Sequence, residues 1–437
     1  MTATKTDEYQ ACLQEMYGLR RFGIKLELST IANMLRQLGD PQENFAAIHI
    51  AGTNGKGSIA SALAAILEEA GYRVGLYTSP HLVHFNERIR INGREIADPE
   101  VVGAYRAVRQ VDPGKRQPTF FEYTTAMAFY EFGRRGVQWA VIETGMGGRF
   151  DATNVVRPRL CVITNVSLEH RSYLGDTLAQ IAGEKGGIIK PGVPVVTGVR
   201  QPAARSVIAD LAASRKAPLY RRGRDFRTRR NPDGSFSYLG LRHRWPGMRT
   251  PLPGDHQVEN AALVLAACEV LKLAGDRLPV ERIRRGLART RWPGRLEIVR
   301  REPLVILDGA HNLMAARRLA EYLAQHLEGR RLTLVAGILD DKPFEAMLKP
   351  LVPLCSRIVL TQPVIDRALP PERLLACVRR LGADAEIIAE VPRAVAHAID
   401  TADRRDAVCV AGSLYTVGEA RRFLLERGDL PEAAIGP

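Results

Sequence analysis

Ile48-His49-Ile50-Ala51-Gly52-Thr53-Asn54-Gly55-Lys56-Gly57-Ser58 is the stretch from which the rest of the chain is read. Residues 45–51 form an apolar run of the length of a buried strand. Three glycines and a lysine break the run. From Ser58 onward, Ile59, Leu63, Ile66 and Leu67 recur at helical spacing. Strand, glycine loop, lysine and helix make a phosphate cradle. Glycines let backbone N–H groups turn toward an anion, the helix N-terminus adds its positive end, and Lys56 supplies a point charge. The common P-loop pattern places Ser or Thr directly after the lysine as a magnesium ligand. Here Gly57 holds that position, which directs the search for a metal-binding hydroxyl to other parts of the chain. A plain strand–turn–helix with a surface lysine accounts less well for three glycines around one lysine.

The chain has 437 residues, 46% apolar and 25% charged. That is the balance of a soluble globular protein, and the length predicts two domains. No uncharged apolar stretch reaches about 18 residues, so no membrane span is expected. Residues 1–20 carry Asp7, Glu8 and Glu15 and lack an apolar signal region, so no secretory signal is expected. The cysteines at 12, 161, 268, 355, 377 and 409 show no CxxC spacing and sit mostly in apolar runs. Buried free thiols in a reducing, cytoplasmic setting follow. The net charge of +14 fits nucleic acid, anionic small substrates or an arginine-rich proteome. Its densest run is Arg221-Arg222-Gly223-Arg224-Asp225-Phe226-Arg227-Thr228-Arg229-Arg230. The turn signal Asn231-Pro232-Asp233-Gly234 and the alternating Ser235-Phe236-Ser237-Tyr238 come next. This predicts a hairpin with a solvated arginine face. No aromatic-interleaved basic motif accompanies it, so nucleic acid is not an expected partner.

Residues 7–39 carry amphipathic helical patterns and a loop around Gly23-Ile24-Lys25-Leu26. Gly71 stops the helix after the phosphate loop. Residues 74–77 form a strand that runs out at Thr78-Ser79-Pro80-His81-Leu82. Open α/β sheets place ligands at such carboxyl ends, so Ser79 is either the missing hydroxyl or a turn-starting Ser-Pro. Thr119-Phe120-Phe121-Glu122-Tyr123 leads into a helix. Its aromatics could stack on a flat heterocycle, though residue chemistry alone favours a helix N-terminus with phenylalanine in the core. Residues 139–143 are a buried strand ending in Glu143, before Thr144-Gly145-Met146-Gly147-Gly148-Arg149-Phe150-Asp151-Ala152-Thr153-Asn154. A carboxylate at that exit, facing a phosphate loop, suits magnesium; a capping or salt-bridge role is the alternative. The strand at 160–165 leads to Val166-Ser167-Leu168-Glu169-His170, which puts His170 on the same ligand side. Lys185, between Glu184 and two glycines, reads as a solvated lysine.

Leu252-Pro253-Gly254-Asp255-His256-Gln257-Val258-Glu259-Asn260 opens an apolar helix at 261–273, with Asp255 able to cap it. Trp292-Pro293-Gly294-Arg295-Leu296 reads as a linker and divides the chain into domains 1–293 and 294–437. Beyond it, strands at 304–307, 332–336, 357–361, 385–389 and 407–411 alternate with helices, which predicts a second doubly wound α/β sheet. The first of these strands ends in Asp308-Gly309-Ala310-His311-Asn312. Polar strand exits in both sheets place the expected site in the cleft between the domains.

The motifs at 51–58, 78–82, 143–154 and 308–312 stand in the order found in the folylpolyglutamate synthase / dihydrofolate synthase family, relatives of the Mur ligases. The chain resembles that family over nearly its whole length, and Gly57 separates it from most Mur ligases. The resemblance implies an α/β fold: a P-loop Mur-ligase-like central domain with a parallel-rich sheet, plus a C-terminal Rossmann-like α/β domain. It implies an ATP-dependent amide ligase that adds L-glutamate to dihydropteroate, to (tetrahydro)folates, or to both, through an acyl phosphate. Under it Gly52, Thr53, Asn54, Gly55, Lys56, Gly57 and Ser58 hold the ATP phosphates. Asn260, Arg295 and Asp308 contact the nucleotide, and His311 lies near the transferred phosphate. Ser79, Glu143 and His170 bind magnesium, and Lys185 is a carbamylated lysine that helps hold the second of two ions. Phe121, Glu122 and Tyr123 line the pterin pocket, with Asp151 near it. The expected partners are small molecules alone, and the expected state is a monomer. The chain departs from the family at Gly186, where alanine is usual, and at Arg171, where a smaller or less basic residue is expected. Two other readings are a Mur-type ligase of a cell-wall precursor and a non-catalytic P-loop nucleotide-binding protein. The first usually has a further N-terminal domain, and the second has no need of Lys185, His170 or the 308–312 cluster.

Overall fold

Eight strands build the first sheet: β1 (Ala46–Ala51), β2 (Val74–Tyr77), β3 (Ile89–Ile91), β4 (Arg94–Glu95), β5 (Trp139–Glu143), β6 (Leu160–Ile163), β7 (Val195–Thr197) and β8 (Leu219–Arg221). The coordinates are a computed structural model that describes residues 5–19, 23, 25 and 27–430. The strand order is β4-β3-β2-β5-β1-β6-β7-β8. The six strands from β2 to β8 across the sheet run parallel, and β3 and β4 form an antiparallel edge. β1 lies between β5 and β6, and its two faces bury different partners, as a doubly covered parallel sheet requires. Ile48 and Ile50 pack with the helices Lys56–Glu69 and Asp255–Leu273. Ala51 packs with the helices Leu178–Gly186 and Pro202–Ser214. The helix Val280–Ala288 crosses Lys56–Glu69 so closely that a Cβ at Gly286 would lie 2.5 Å from the Ile66 Cα.

The arginine-rich stretch is a hairpin extended by a third strand: β9 (Arg227–Arg230), β10 (Phe236–Leu239) and β11 (Arg244–Met248), all antiparallel. Phe236, Tyr238, Trp245 and Met248 are buried in the core shared with the helix Asp255–Leu273. Arg227 and Arg244 flank Leu239 in register and are exposed. Glu269, fully buried on that helix, ties the sheet down. It accepts the Tyr238 hydroxyl and the Leu241, Arg242 and His243 amides, each at 2.8 Å.

A six-stranded sheet follows, ordered β12-β13-β17-β14-β15-β16. Its strands are β12 (Glu297–Arg301), β13 (Leu304–Leu307), β14 (Leu332–Ala336), β15 (Arg357–Gln362), β16 (Glu386–Glu390) and β17 (Ala407–Ala411). All are parallel except β12, which pairs antiparallel with β13 and was not anticipated. One face packs on the helices Leu313–His326, Phe344–Leu348 and Pro371–Arg380, the other on Val391–Asp400 and Leu414–Glu426.

The chain falls into two compact units. The first holds most of the chain up to Arg291; the second holds Leu82–Phe85, Leu252–His256 and the chain from Trp292 onward. Near the N-terminus the helices Lys5–Gly18 and Ser29–Gln37 match the amphipathic patterns, while Ile24 and Leu26 of the expected loop lie outside the described residues. All six cysteines are free thiols, five of them buried and Cys355 partly so. Among the described residues, no helix is long and apolar enough to cross a membrane.

Candidate functional site

The glycine loop leaves the carboxyl end of β1, which lies between β5 and β6; the chain runs from β1 to β2 on one side and from β6 to β7 on the other. This is the switch point at which open α/β sheets hold ligands. Two of its glycines are required by close approach. A Cβ at Gly52 would lie 1.9 Å from Thr164 Oγ1, and one at Gly55 2.7 Å from Asn260 Oδ1. Gly55, in the left-handed region with φ 83°, precedes the first turn of the helix Lys56–Glu69. The loop is pinned by the end of β6: Asn165 accepts the Thr53 amide on its carbonyl and the Asn54 amide on its side chain, both at 3.0 Å. Thr164 Oγ1 and Asn165 Nδ2 donate to the Asn54 carbonyl at 2.7 and 3.0 Å. Neither Thr164 nor Asn165 carried a motif that would have named it from sequence.

Lys56 bends back over its loop. Its Nζ donates to the Gly52 and Thr53 carbonyls at 3.0 and 3.2 Å and lies 4.0 Å from Glu143 Oε1. Asn260, whose amide donates to Gln257 Oε1 at 2.9 Å, stands against Gly55, and Gln257 Nε2 reaches Ser58 Oγ at 3.4 Å. The phosphate loop, Lys56 and Asn260 are therefore brought together within the first unit.

Ser79 and Glu143 also meet, because β2 and β5 are sheet neighbours: the Ser79 amide donates to Glu143 Oε2 at 3.2 Å. The carboxylate and the serine hydroxyl are hard oxygen donors, the kind a magnesium ion takes. No group of three His, Cys, Asp or Glu side chains that could hold a metal occurs among the described residues. These donors fit an ion that draws the rest of its shell from water and phosphate oxygens, as magnesium commonly does.

Lys185 corrects the reading from its neighbours in sequence. It is 1% exposed, not solvated. Its Nζ donates to the Gly52 carbonyl at 3.0 Å and to Glu169 Oε1 at 2.8 Å. Burial pushes its pKa down, helped by the charge of Lys56 and opposed by Glu169. Burial pushes Glu169 up, but Lys185, Lys56 and His170 outweigh it and hold the carboxyl at about 2. Glu169 is thus a site residue the sequence reading passed over; its one signal was its place beside His170 past the end of β6. His170 itself is exposed, with left-handed backbone at φ 48°, before the short helix Arg171–Leu174.

The aromatic stretch divides. Glu122 closes a capping box with Thr119, accepting the Thr119 amide at 2.8 Å, and takes Arg116 on both oxygens at 2.9 and 2.7 Å. The Tyr123 hydroxyl donates to the Tyr105 carbonyl at 2.9 Å. Both are buried, Glu122 capping its own helix and Tyr123 tying that helix to the helix Asp98–Arg109, whereas Phe121 is half-buried. Its ring is where a Cβ on Gly145 would fall, 2.6 Å from Phe121 Cζ. Asp151 is buried too, and accepts the amides of Thr153 at 3.1 Å and Met146 at 2.9 Å.

In the second unit Asp308 is buried at the end of β13. Its carboxylate accepts the Leu296 amide at 2.8 Å and the Ala310 amide at 3.0 Å. Burial pushes its pKa up, against the neighbouring Arg295 guanidinium. A Cβ at Gly309 would lie 2.2 Å from an Arg295 guanidinium nitrogen, so Arg295, Asp308 and Gly309 form one tight group. His311 Nδ1 donates to the Gly309 carbonyl at 2.8 Å, leaving Nε2 as its other ring nitrogen.

Two family models match the chain: the Mur ligase middle domain over residues 50–268 and the Mur ligase glutamate ligase domain over residues 294–414. The dihydrofolate synthase/folylpolyglutamate synthase of Bacillus subtilis is 38% identical over 435 residues, covering 95% of this chain and 99% of that protein. The structure of Escherichia coli FolC in complex with DHPP and ADP superposes with a TM-score of 0.89 at 30% identity, covering 98% of this chain and all of that one. The bifunctional folylpolyglutamate synthase/dihydrofolate synthase of Yersinia pestis, complexed with AMPPNP and a manganese ion, gives a TM-score of 0.86 at 32% identity, over 97% of this chain and all of that one.

Proposed function

We infer the reaction from one premise: the chain belongs to the dihydrofolate synthase/folylpolyglutamate synthase family. It is an ATP-dependent ligase that joins glutamate to a folate-type acid and uses a divalent metal. The observation that carries this reading is the glycine loop at the end of β1, with Lys56 and the Glu143–Ser79 pair at its mouth. A Mur-type ligase of a cell-wall precursor shares the chemistry, but the relatives across nearly the full length are folate enzymes. We assign residues 1–293 to the ATP-binding domain and 294–437 to the C-terminal ligase domain.

The substrate carboxylate is a poor electrophile, and its oxygen attacks the γ-phosphorus of ATP to give an acyl phosphate and ADP. The glutamate amine then adds to the acyl carbon, and inorganic phosphate leaves with the amide formed. The loop amides and Lys56 face the charge that gathers on the transferring phosphoryl group. Magnesium, when bound, supplies further positive charge to the phosphate oxygens. Ser79 and Glu143 would hold one ion, with His170 and a carbamylated Lys185 serving a second. Asn260, Arg295 and Asp308 would serve the nucleotide, His311 the transferred phosphate, and Phe121 the pterin face. A monomer working in the cytoplasm completes the proposal; the free, mostly buried thiols support a reducing compartment.

The test is phosphate release from ATP with glutamate and, in turn, dihydropteroate, tetrahydrofolate or a muramyl substrate. Release with one of the two pterins, lost in Lys56→Ala at saturating ATP, is the expected result. Release with the muramyl substrate alone would replace this reading by the Mur-type one.

A further inference from the structure

A polar line is buried inside the first sheet, running from β1 to the loop after β5. His49, in the middle of β1, is fully buried. Its Nε2 lies 2.8 Å from Thr153 Oγ1, and Thr153 Oγ1 lies 2.5 Å from Asp151 Oδ1. A carboxylate accepts, so the threonine proton goes to Asp151, and the threonine oxygen accepts from His49 Nε2–H. Burial and the nearby Lys190 charge keep the imidazole neutral, with its pKa pushed down to about 3. With Nε2 protonated, Nδ1 is the bare nitrogen, and it has no hydrogen-bond partner.

A histidine in a buried strand is usually there for packing. This one is flanked by Ala47, Ile48, Ile50 and Ala51, and an aliphatic residue would fill the place without stranding a ring nitrogen. What the imidazole adds is one aimed N–H. That N–H bears on Asp151 through Thr153, and Asp151 Oδ2 accepts the Met146 amide at 2.9 Å. The loop so held touches two elements. Gly145 abuts the Phe121 ring, and a Cβ at Gly148 would lie 2.8 Å from the Lys185 carbonyl oxygen. The Arg149 amide donates to the Glu184 carbonyl at 2.8 Å.

We propose that His49 is a positioning residue for the pterin-bearing substrate: through Thr153 it orients Asp151, which holds the Met146 loop against Phe121. The proposal rests on the ligase reading and on Phe121 bordering the pterin. Its test compares His49→Leu and Thr153→Val, which break the line, with His49→Gln and Thr153→Ser, which keep its donors. The line-breaking variants are expected to raise the KM for the pterin substrate about tenfold while leaving the KM for ATP unchanged. The conservative variants should stay near wild type, and the double variant His49→Leu/Thr153→Val should be no worse than the poorer single one. Hydrogen exchange at the Met146 amide should quicken in His49→Leu and Thr153→Val. Unchanged pterin KM in folded His49→Leu, or equal rises for ATP and pterin, overturns the proposal. If the wild type turns over no pterin, the ligase reading fails by itself. Slow Met146 exchange in His49→Leu would then overturn the line as well, and quickened exchange would sustain it.

Discussion

At the scale of single residues, Lys185 has the most to explain. An ammonium withdrawn from water costs several kcal/mol, and here Glu169 and the Gly52 carbonyl offset that cost. The same burial favours the neutral amine, the form that reacts with carbon dioxide. A carbamate would place negative charge beside Glu169, so the ion pair and the modification exclude each other. Lys185→Ala is expected to be nearly inactive in phosphate release and partly restored by acetate, which can occupy the vacated ligand position. Lys185→Arg should be inactive and indifferent to acetate, since its guanidinium fills the space with fixed positive charge. Wild-type rates in both variants would remove Lys185 from the site. Its burial was not legible in the sequence, because the groups that enclose it are remote in the chain: Gly52 is 133 residues away and Glu169 16. Lys56, by contrast, was legible, because loop, lysine and helix are contiguous.

Among the elements, those with strong periodicity or long apolar runs were readable in advance: β1, β5, β6, the helix after the phosphate loop and the arginine hairpin. The missed strands are mostly edge pieces, with β7, three residues long, as a short interior one. β12 is Glu297-Ile298-Val299-Arg300-Arg301, too polar to read as a buried strand, and it exists because β13 offers it a free edge. β3 and β4 together span five residues. The three-stranded sheet β9–β11 depends on a contact that sequence does not announce, the buried Glu269. Glu269→Ala would leave the Tyr238 hydroxyl and three amides without their acceptor, and should destabilise the fold by about 3 kcal/mol or more. Urea unfolding checks this; a loss under about 1 kcal/mol would mean that water satisfies those donors instead. The KM values for ATP and pterin should stay unchanged in the folded variant.

For the whole molecule, both units are expected to matter to one turnover. Arg295 and Asp308 belong to the second unit and the phosphate loop to the first, and the family resemblance gives all of them to the nucleotide. Arg295→Ala should raise the KM for ATP about tenfold or more, the loss of a charge-assisted hydrogen bond, and leave the pterin KM near wild type. An unchanged KM for ATP would detach the second unit from nucleotide binding. The two-sheet organisation itself was legible from alternating strand and helix patterns on either side of Trp292-Pro293-Gly294.

The cysteines divide evenly between the units: Cys12, Cys161 and Cys268 in the first, Cys355, Cys377 and Cys409 in the second. Burial raises the pKa of all six, to about 12 for Cys161, Cys268 and Cys355, so little reactive thiolate exists in the folded state. An alkylating reagent therefore waits on opening of the chain. Timed labelling followed by peptide mapping makes these thiols a pair of stopwatches, one for each unit. Ligand added to the mixture should slow whichever clock belongs to a unit it clasps.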